Sequence, residues 1–189
     1  MFGDEDRTDR HYETIPPAIT VCVGAVVLRD DRALFVRQTY GDGLTGVWTL
    51  PWGYVEGVDA QGQPDPPDRA VLREVLEEGG IPAEVVGLLG LQNHAGPHGE
   101  PRLYTLFLCR ALAGDPVPDG HETDAPAFFS LHDLSTLTDP IDPFCNWLAQ
   151  RVLRGDHTVI PPQTDNPYRP TSHFCRLSVR PPHARLWHN

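Results

Sequence analysis

Residues 73–81 read Arg73-Glu74-Val75-Leu76-Glu77-Glu78-Gly79-Gly80-Ile81. On a helix, at about 100° per residue, Val71, Leu72, Val75, Leu76 and Gly79 gather on one side. Glu74, Glu77 and Glu78, spaced i, i+3 and i+4, gather on the opposite side. Three like charges so placed repel one another, and they occupy the last turns, where the helix dipole favours cations. Arg73 can pair with Glu77, but one Arg does not neutralise three carboxylates. A solvated acidic face is the ordinary reading of such a run. The chemical alternative is a hard divalent cation, which takes oxygen ligands. The preceding segment, residues 52–59 (WGYVEGVD), adds Glu56 and Asp59 on a Gly-containing loop. Loop and helix together can bring carboxylates around one point.

Working outward, the helix is predicted over 66–79. Asp65 is its expected N-cap, Pro66 its first residue and Gly79-Gly80 its stop. Upstream, residues 19–28 (ITVCVGAVVL) read as a buried strand. Asp30-Asp31 makes a turn into a hairpin partner over 33–38 (ALFVRQ). A Gly-rich loop over 40–46 leads to a short extended piece, 47–51 (VWTLP). Downstream, strands are predicted over 83–92 and 103–113, joined by a turn-rich stretch, NHAGPHGEPR. A short strand over 127–130 enters a turn of helix over 131–137. A last, amphipathic helix over 142–153 has Phe144, Trp147, Leu148 and Val152 on its apolar side. This order suggests an α+β domain or a layered α/β/α sandwich. The expected organisation is a loose arm over 1–17, one domain over 18–154, and a Pro-, His- and Arg-rich tail over 155–189.

Composition narrows the partners. The chain of 189 residues carries a formal net charge of -11, and its fifteen basic residues are all Arg. With no basic patch, such a surface disfavours nucleic acid and anionic membranes. Phosphate must then be met by Arg, backbone N–H groups or a metal. No apolar run has membrane-spanning length and no signal peptide is read, so a soluble cytoplasmic protein is expected. The four cysteines, Cys22, Cys109, Cys145 and Cys175, form no C-x-x-C pair, so buried thiols are expected rather than zinc or disulfides.

The segment 53–81 resembles the signature of the Nudix hydrolases. That signature is a Gly, five residues, a Glu, seven residues, then Arg-Glu, an apolar residue, any residue, Glu-Glu, any residue, Gly and an apolar residue. Gly53 is followed after five residues by Asp59, where the family has Glu. The second half, from Arg73 to Ile81, matches in order. The spacer between Asp59 and Arg73 is thirteen residues rather than seven, enlarged by the polar stretch 60–68 (AQGQPDPPD). An insertion in a polar loop costs little, but it leaves the placement of Asp59 open, with Glu56 as its substitute.

The resemblance implies a Nudix-like α/β/α sandwich with a mixed β-sheet between helices. It implies Glu74 and Glu78 as principal ligands of Mg²⁺ or Mn²⁺, assisted by Glu77 and the backbone carbonyl of Trp52, beside Gly53. Arg73 would orient the acids by pairing with Asp59 or Glu77. The implied reaction is substitution by water at phosphorus, with Glu77 or the later Glu122 as general base and Glu100 as another candidate. The implied substrate is a nucleoside diphosphate linked to X, such as ADP-ribose or another ADP-sugar. Pro97, sixteen residues beyond Ile81, resembles the ADP-ribose-cleaving subgroup. The alternatives are a nucleoside triphosphate pyrophosphatase and a non-catalytic nucleotide sensor. The retained Glu74, Glu77 and Glu78 favour catalysis over sensing. An isopentenyl diphosphate isomerase would need a Cys in the pocket, and Cys22 and Cys109 read as buried.

Arg37, at the end of a strand, is a candidate for a substrate phosphate. Trp48 and Tyr54 are candidates for stacking a base, though large aromatics more often pack inside. His94 and His98 flank Gly96-Pro97 and make a weak zinc pair. A homodimer through the first strands or the tail is a further expectation.

Overall fold

The computed structural model describes residues 18–41, 43–58, 62–96, 99–160, 162–163 and 174–175. The arm over 1–17, Asp59, Pro97, His98 and most of the tail lie outside the described residues.

The strands are β1 (Thr20–Arg29), β2 (Arg32–Gln38), β3 (Trp48–Thr49), β4 (Trp52–Tyr54), β5 (Gly57–Val58), β6 (Pro64–Asp65), β7 (Ala83–Ala95), β8 (Pro101–Ala111) and β9 (Thr123–Phe129). The helices are α1 (Pro67–Gly79), α2 (Leu131–Thr136) and α3 (Pro143–Leu153). Among the described residues, seven strands form one mixed sheet, ordered β3-β2-β1-β8-β7, with β4 also on β1 and β9 also on β2. β1 runs parallel to β8, and the other pairings within this sheet are antiparallel.

β1 is apolar on both faces because both faces are covered. Val23, Ala25 and Val27 pack with Ala70, Val71 and Val75 of α1. Val26 turns the other way, into a core with Phe35, Leu106, Leu134 of α2 and Leu148 of α3. The expected layering of a mixed sheet between helices therefore holds. β1 pairs with β2 only at its end (Leu28 and Arg29) and with β4 at its start (Cys22 to Gly24). The chain over 47–54 is wedged into the opening between them, and this places the motif loop over α1.

Several boundaries differ from expectation. The N-cap of α1 is Pro66, with no side-chain cap, because Asp65 is drawn to Arg73 instead. β7 continues through polar residues to Ala95, carried by its pairing with β8. On α3 the buried residues are Leu148, Ala149 and Val152, while Trp147 is exposed and lies beside Phe144 and Arg151. Cys22 and Cys109 are buried free thiols within strands. No helix among the described residues is long and apolar enough to cross a membrane.

α1 ends on Gly80, left-handed at φ 66°, whose N–H donates to the carbonyl of Leu76 at 3.0 Å. A Cβ there would fall 2.3 Å from the carbonyl oxygen of Val117. Gly80→Ala is expected to cost more than about 1 kcal/mol in urea unfolding. An unchanged unfolding midpoint would contradict this account of the helix stop.

Candidate active site

The site begins with the way β4 crosses α1. Trp52 and Tyr54 stand on one face of β4, with ring centroids 6.1 Å apart. Gly53 faces α1, and a Cβ on it would lie 2.0 Å from the carboxyl carbon of Glu74. Only a residue without a side chain admits the Glu74 carboxylate here.

The helix is therefore oriented differently from the sequence expectation. Glu74 and Glu78 belong to the buried stripe with Val71 and Val75, while Leu76 is exposed. In projection Glu78 lies only about 20° from Val71. Glu78 is 1% exposed and Glu74 is 6% exposed. Glu77 remains outside the stripe, with half its side chain in solvent.

Each buried acid has fixed partners. The Trp52 N–H donates to Glu78 Oε2 at 2.9 Å, and Gln38 Nε2 donates to Glu78 Oε1 at 3.2 Å. Gln38 also donates to the Thr49 hydroxyl at 3.0 Å, and the Thr123 hydroxyl donates to the Glu78 carbonyl at 2.8 Å. Burial pushes the Glu78 carboxyl up to about 8, against the opposing pull of the Trp52 and Gln38 hydrogen bonds. Burial also raises Glu74, and Arg73 only partly offsets it.

Arg73 ties the acids to the loop. It donates to Glu74 at 2.8 Å, Glu77 at 3.0 Å, Asp65 at 3.2 Å and the Tyr54 carbonyl at 2.8 Å. Burial opposes its charge, but Glu74, Asp65 and Glu77 outweigh that and hold it firmly protonated. Asp59, the expected partner, lies outside the described residues. Asp65 is 4% exposed and occupies that ion pair. Seven residues, 66–72, separate Asp65 from Arg73, so the family spacing carried this signal. Counted this way, the extra residues fall between Gly53 and Asp65.

A second loop closes over the acids. Asp119 accepts from the N–H groups of His121, Glu122 and Thr123 at 2.9–3.1 Å. The Glu122 carbonyl accepts from the Thr39 N–H at 2.9 Å. Glu122 is exposed, yet its charge contributes to raising both Glu74 and Glu78. Tyr40, unnoticed in the sequence, joins this group. Tyr40 is half exposed, yet partial desolvation of its phenol first, then the charges of Glu122, Glu78 and Glu74, push that phenol up to about 12.

Other candidates lie elsewhere. Arg37 is held in a two-point ion pair by Asp124, at 2.7 and 3.1 Å, and its guanidinium lies over the Trp48 ring. It sits on the α3 side of the sheet, since its neighbour Gln38 is the residue that reaches Glu78. The structure thus removes it from the acid cluster. Trp48 is 6% exposed, packs edge-on against Phe129 and donates to Asp139 at 3.3 Å, so no face is left for a base. Glu56 is exposed, and Glu100 pairs with Arg102 at 2.9 Å. Among the described residues, no three His, Cys, Asp or Glu side chains converge as a metal site. Glu77 turns toward Arg73, whereas Glu74 and Glu78 lie under β4. The donors nevertheless suit a hard cation: two buried oxygen acids, each raised by desolvation, one of them seated over Gly53.

On the opposite face lies a cavity of about 440 Å³, lined by Trp52, Tyr104, Phe144, Gln92, Arg102 and Asp142 among others. The Trp52 and Tyr104 ring centroids are 6.1 Å apart. Trp52 and Thr49 belong to both sides. The Trp52 ring lines the cavity while its N–H holds Glu78, and Thr49 lines it while bonded to Gln38.

A mixed sheet between helices, with a buried acid pair under a glycine strand, defines a carboxylate-centred α+β domain. Residues 18–148 match the NUDIX domain, and the chain belongs to that family. An ADP-ribose pyrophosphatase of Methanocaldococcus jannaschii is 27% identical over 120 residues, 62% of this chain and 65% of that protein. A MutT-like protein of Streptomyces ambofaciens is 40% identical over 79 residues, 41% of this chain and 45% of that protein. The matched stretch thus spans less than two thirds of either relative. Among solved structures, a MutT NUDIX hydrolase from Burkholderia pseudomallei superposes with a TM-score of 0.56 at 29% identity, covering 71% of this chain and 98% of that one.

The raised Glu78 has a thermodynamic consequence. Between its ordinary 4.5 and about 8, the folded state binds more protons than the unfolded state. Its stabilising contribution is complete below 4.5 and is lost as pH rises through about 8. In EDTA, the Tm of the wild type is expected to fall from about pH 5 to about pH 9, and Glu78→Gln to fall less. Parallel curves for the two proteins would refute the assignment.

Proposed function

We propose that this chain hydrolyses a phosphoanhydride bond in a nucleoside diphosphate linked to a second group, with ADP-ribose or another ADP-sugar as the substrate class. The single observation that carries this reading is the shared position of Trp52. Its backbone binds a buried carboxylate on one face of the strand, and its ring walls a ligand-sized cavity on the other. A substrate seated in the cavity by its nucleoside can extend its diphosphate toward the acids. The ADP-ribose pyrophosphatase among the relatives supports the same class.

In this reading Glu74, Glu78 and the Trp52 carbonyl hold Mg²⁺ or Mn²⁺, with Glu77 at the rim. When bound, the cation neutralises phosphate charge and lowers the pKa of a water. Arg73 acts through Glu74 and Glu77 as a positioning residue, because it anchors both to the Tyr54 carbonyl and Asp65. Glu122, on the loop clamped by Asp119, accepts the proton of the attacking water in this reading. Tyr40, with its phenol held neutral, can donate a hydrogen bond at the same edge. The base stacks among Trp52, Tyr104 and Phe144. Gly53 gives the Glu74 carboxylate its seat, and Tyr54 flanks it. The free thiols support a reducing compartment, the cytosol.

The test is a panel of ADP-ribose, ADP-glucose and nucleoside triphosphates with Mg²⁺, Mn²⁺ or EDTA, scoring AMP and phosphate esters. AMP from the ADP-sugars, lost in EDTA, is expected. Glu78→Gln is expected to lower kcat by about 10²-fold or more while retaining the fold. Preferred release of pyrophosphate from triphosphates would instead select the pool-cleansing alternative. Turnover indifferent to EDTA, or full activity in Glu78→Gln, would refute the proposal.

A further inference from the structure

The cavity contains a side chain whose hydrogen-bonding capacity is unspent. Gln92 on β7 is the cross-strand partner of Tyr104 on β8, so the two side chains stand together on the cavity face of the sheet. Gln92 is half-buried, and its amide makes no hydrogen bond among the described residues. Its polar neighbours are engaged. Arg102 bonds Glu100 and lies over the Tyr54 ring, and Thr49 accepts from Gln38.

Asp142 complements it. One carboxylate oxygen caps α3 by accepting the Cys145 N–H at 2.8 Å. A carboxylate has acceptor sites to spare and offers no proton. Beside Thr49 and an Arg102 guanidinium turned to Glu100, the cavity presents one donor-plus-acceptor amide, one acceptor-only carboxylate and aromatic walls.

We infer that Gln92 and Asp142 read the amino-bearing edge of adenine, which makes them the specificity-determining residues of the site. This rests on the reading that the cavity takes the nucleoside. The Gln92 amide pairs with the adenine amino group and its adjacent ring nitrogen, the match that glutamine makes with adenine in general. The second amino hydrogen goes to Asp142. Uracil places a carbonyl against the carboxylate, and guanine offers the amide two acceptors on its O6/N7 edge. Both leave a desolvated polar group unpaired. Cytosine shares the amino edge but covers less of the aromatic wall.

ADP-, GDP-, CDP- and UDP-glucose share one sugar and separate the bases cleanly. For the wild type with Mg²⁺, kcat/KM for ADP-glucose is expected to exceed each of the others by about tenfold or more. Gln92→Leu is expected to erase most of that advantage through KM, leaving kcat nearly unchanged and Tm unaltered. Asp142→Asn keeps a capping side chain and is expected to admit UDP-glucose. Equal wild-type rates on the four, a preference for another base, or unchanged ratios in both variants would overturn the inference and leave the hydrolase intact. Cleavage of none of the four, nor of ADP-ribose, would remove the underlying reading as well.

Discussion

The structure depends on one close approach: a helix carrying two glutamates lies against a strand that has no side chain at Gly53. Without that gap the Glu74 carboxylate has no room, and α1 would have to lift from β4. With it, two carboxylates are buried close to each other, Glu78 under one backbone N–H and one primary amide and Glu74 against the Arg73 guanidinium. Desolvating acids in this way is unfavourable, as their raised pKa values express. Such a cost is tolerated in cores rarely and at functional sites commonly.

The sheet makes the arrangement useful. Because β1 parts from β2, the segment around Pro51 enters between them and exposes a different residue to each face. Gly53 meets the acids, and the rings of Trp52 and Tyr54 stand opposite. A few residues thus connect an anionic centre with an aromatic cavity. Arg73 then fixes the loop to the helix from below, while Thr39 and Asp119 fix the loop that carries Glu122.

Much of this was legible in the sequence, and what was missed shares a physical cause. The helix and its acids were readable because their spacing is local. So was the doubly covered β1, whose unbroken apolar run demands cover on both faces. The orientation of α1 was not readable from projection alone. Polarity argued for turning the glutamates outward, whereas the absent side chain at Gly53, twenty-one residues earlier, drew Glu74 and Glu78 inward and left Leu76 outside. The surroundings of Arg37 and Trp48 were not readable for a related reason. Arg37 reaches Asp124 through the pairing of β2 with β9, and Trp48 on β3 meets Phe129 because β3 and β9 both pair with β2; Asp124 and Phe129 are remote in sequence. Gln92 and Tyr104 became neighbours only through the hairpin register of β7 and β8. Asp65 is the exception. Its position was available from the spacing behind Arg73, but Asp59 was nearer to the motif glycine.

The central claim is that the buried glutamate pair is a seat for a divalent cation presented to a diphosphate. Its most direct test is a crystal structure with Mn²⁺ and a non-cleavable α,β-methylene analogue of ADP-ribose, with the ion located by anomalous scattering. The account predicts an anomalous peak at about 2.0–2.3 Å from carboxylate oxygens of Glu74 and Glu78, with the diphosphate against it. A peak held by other residues, or Glu78 still bonded only to Trp52 and Gln38 with the analogue bound, would contradict it.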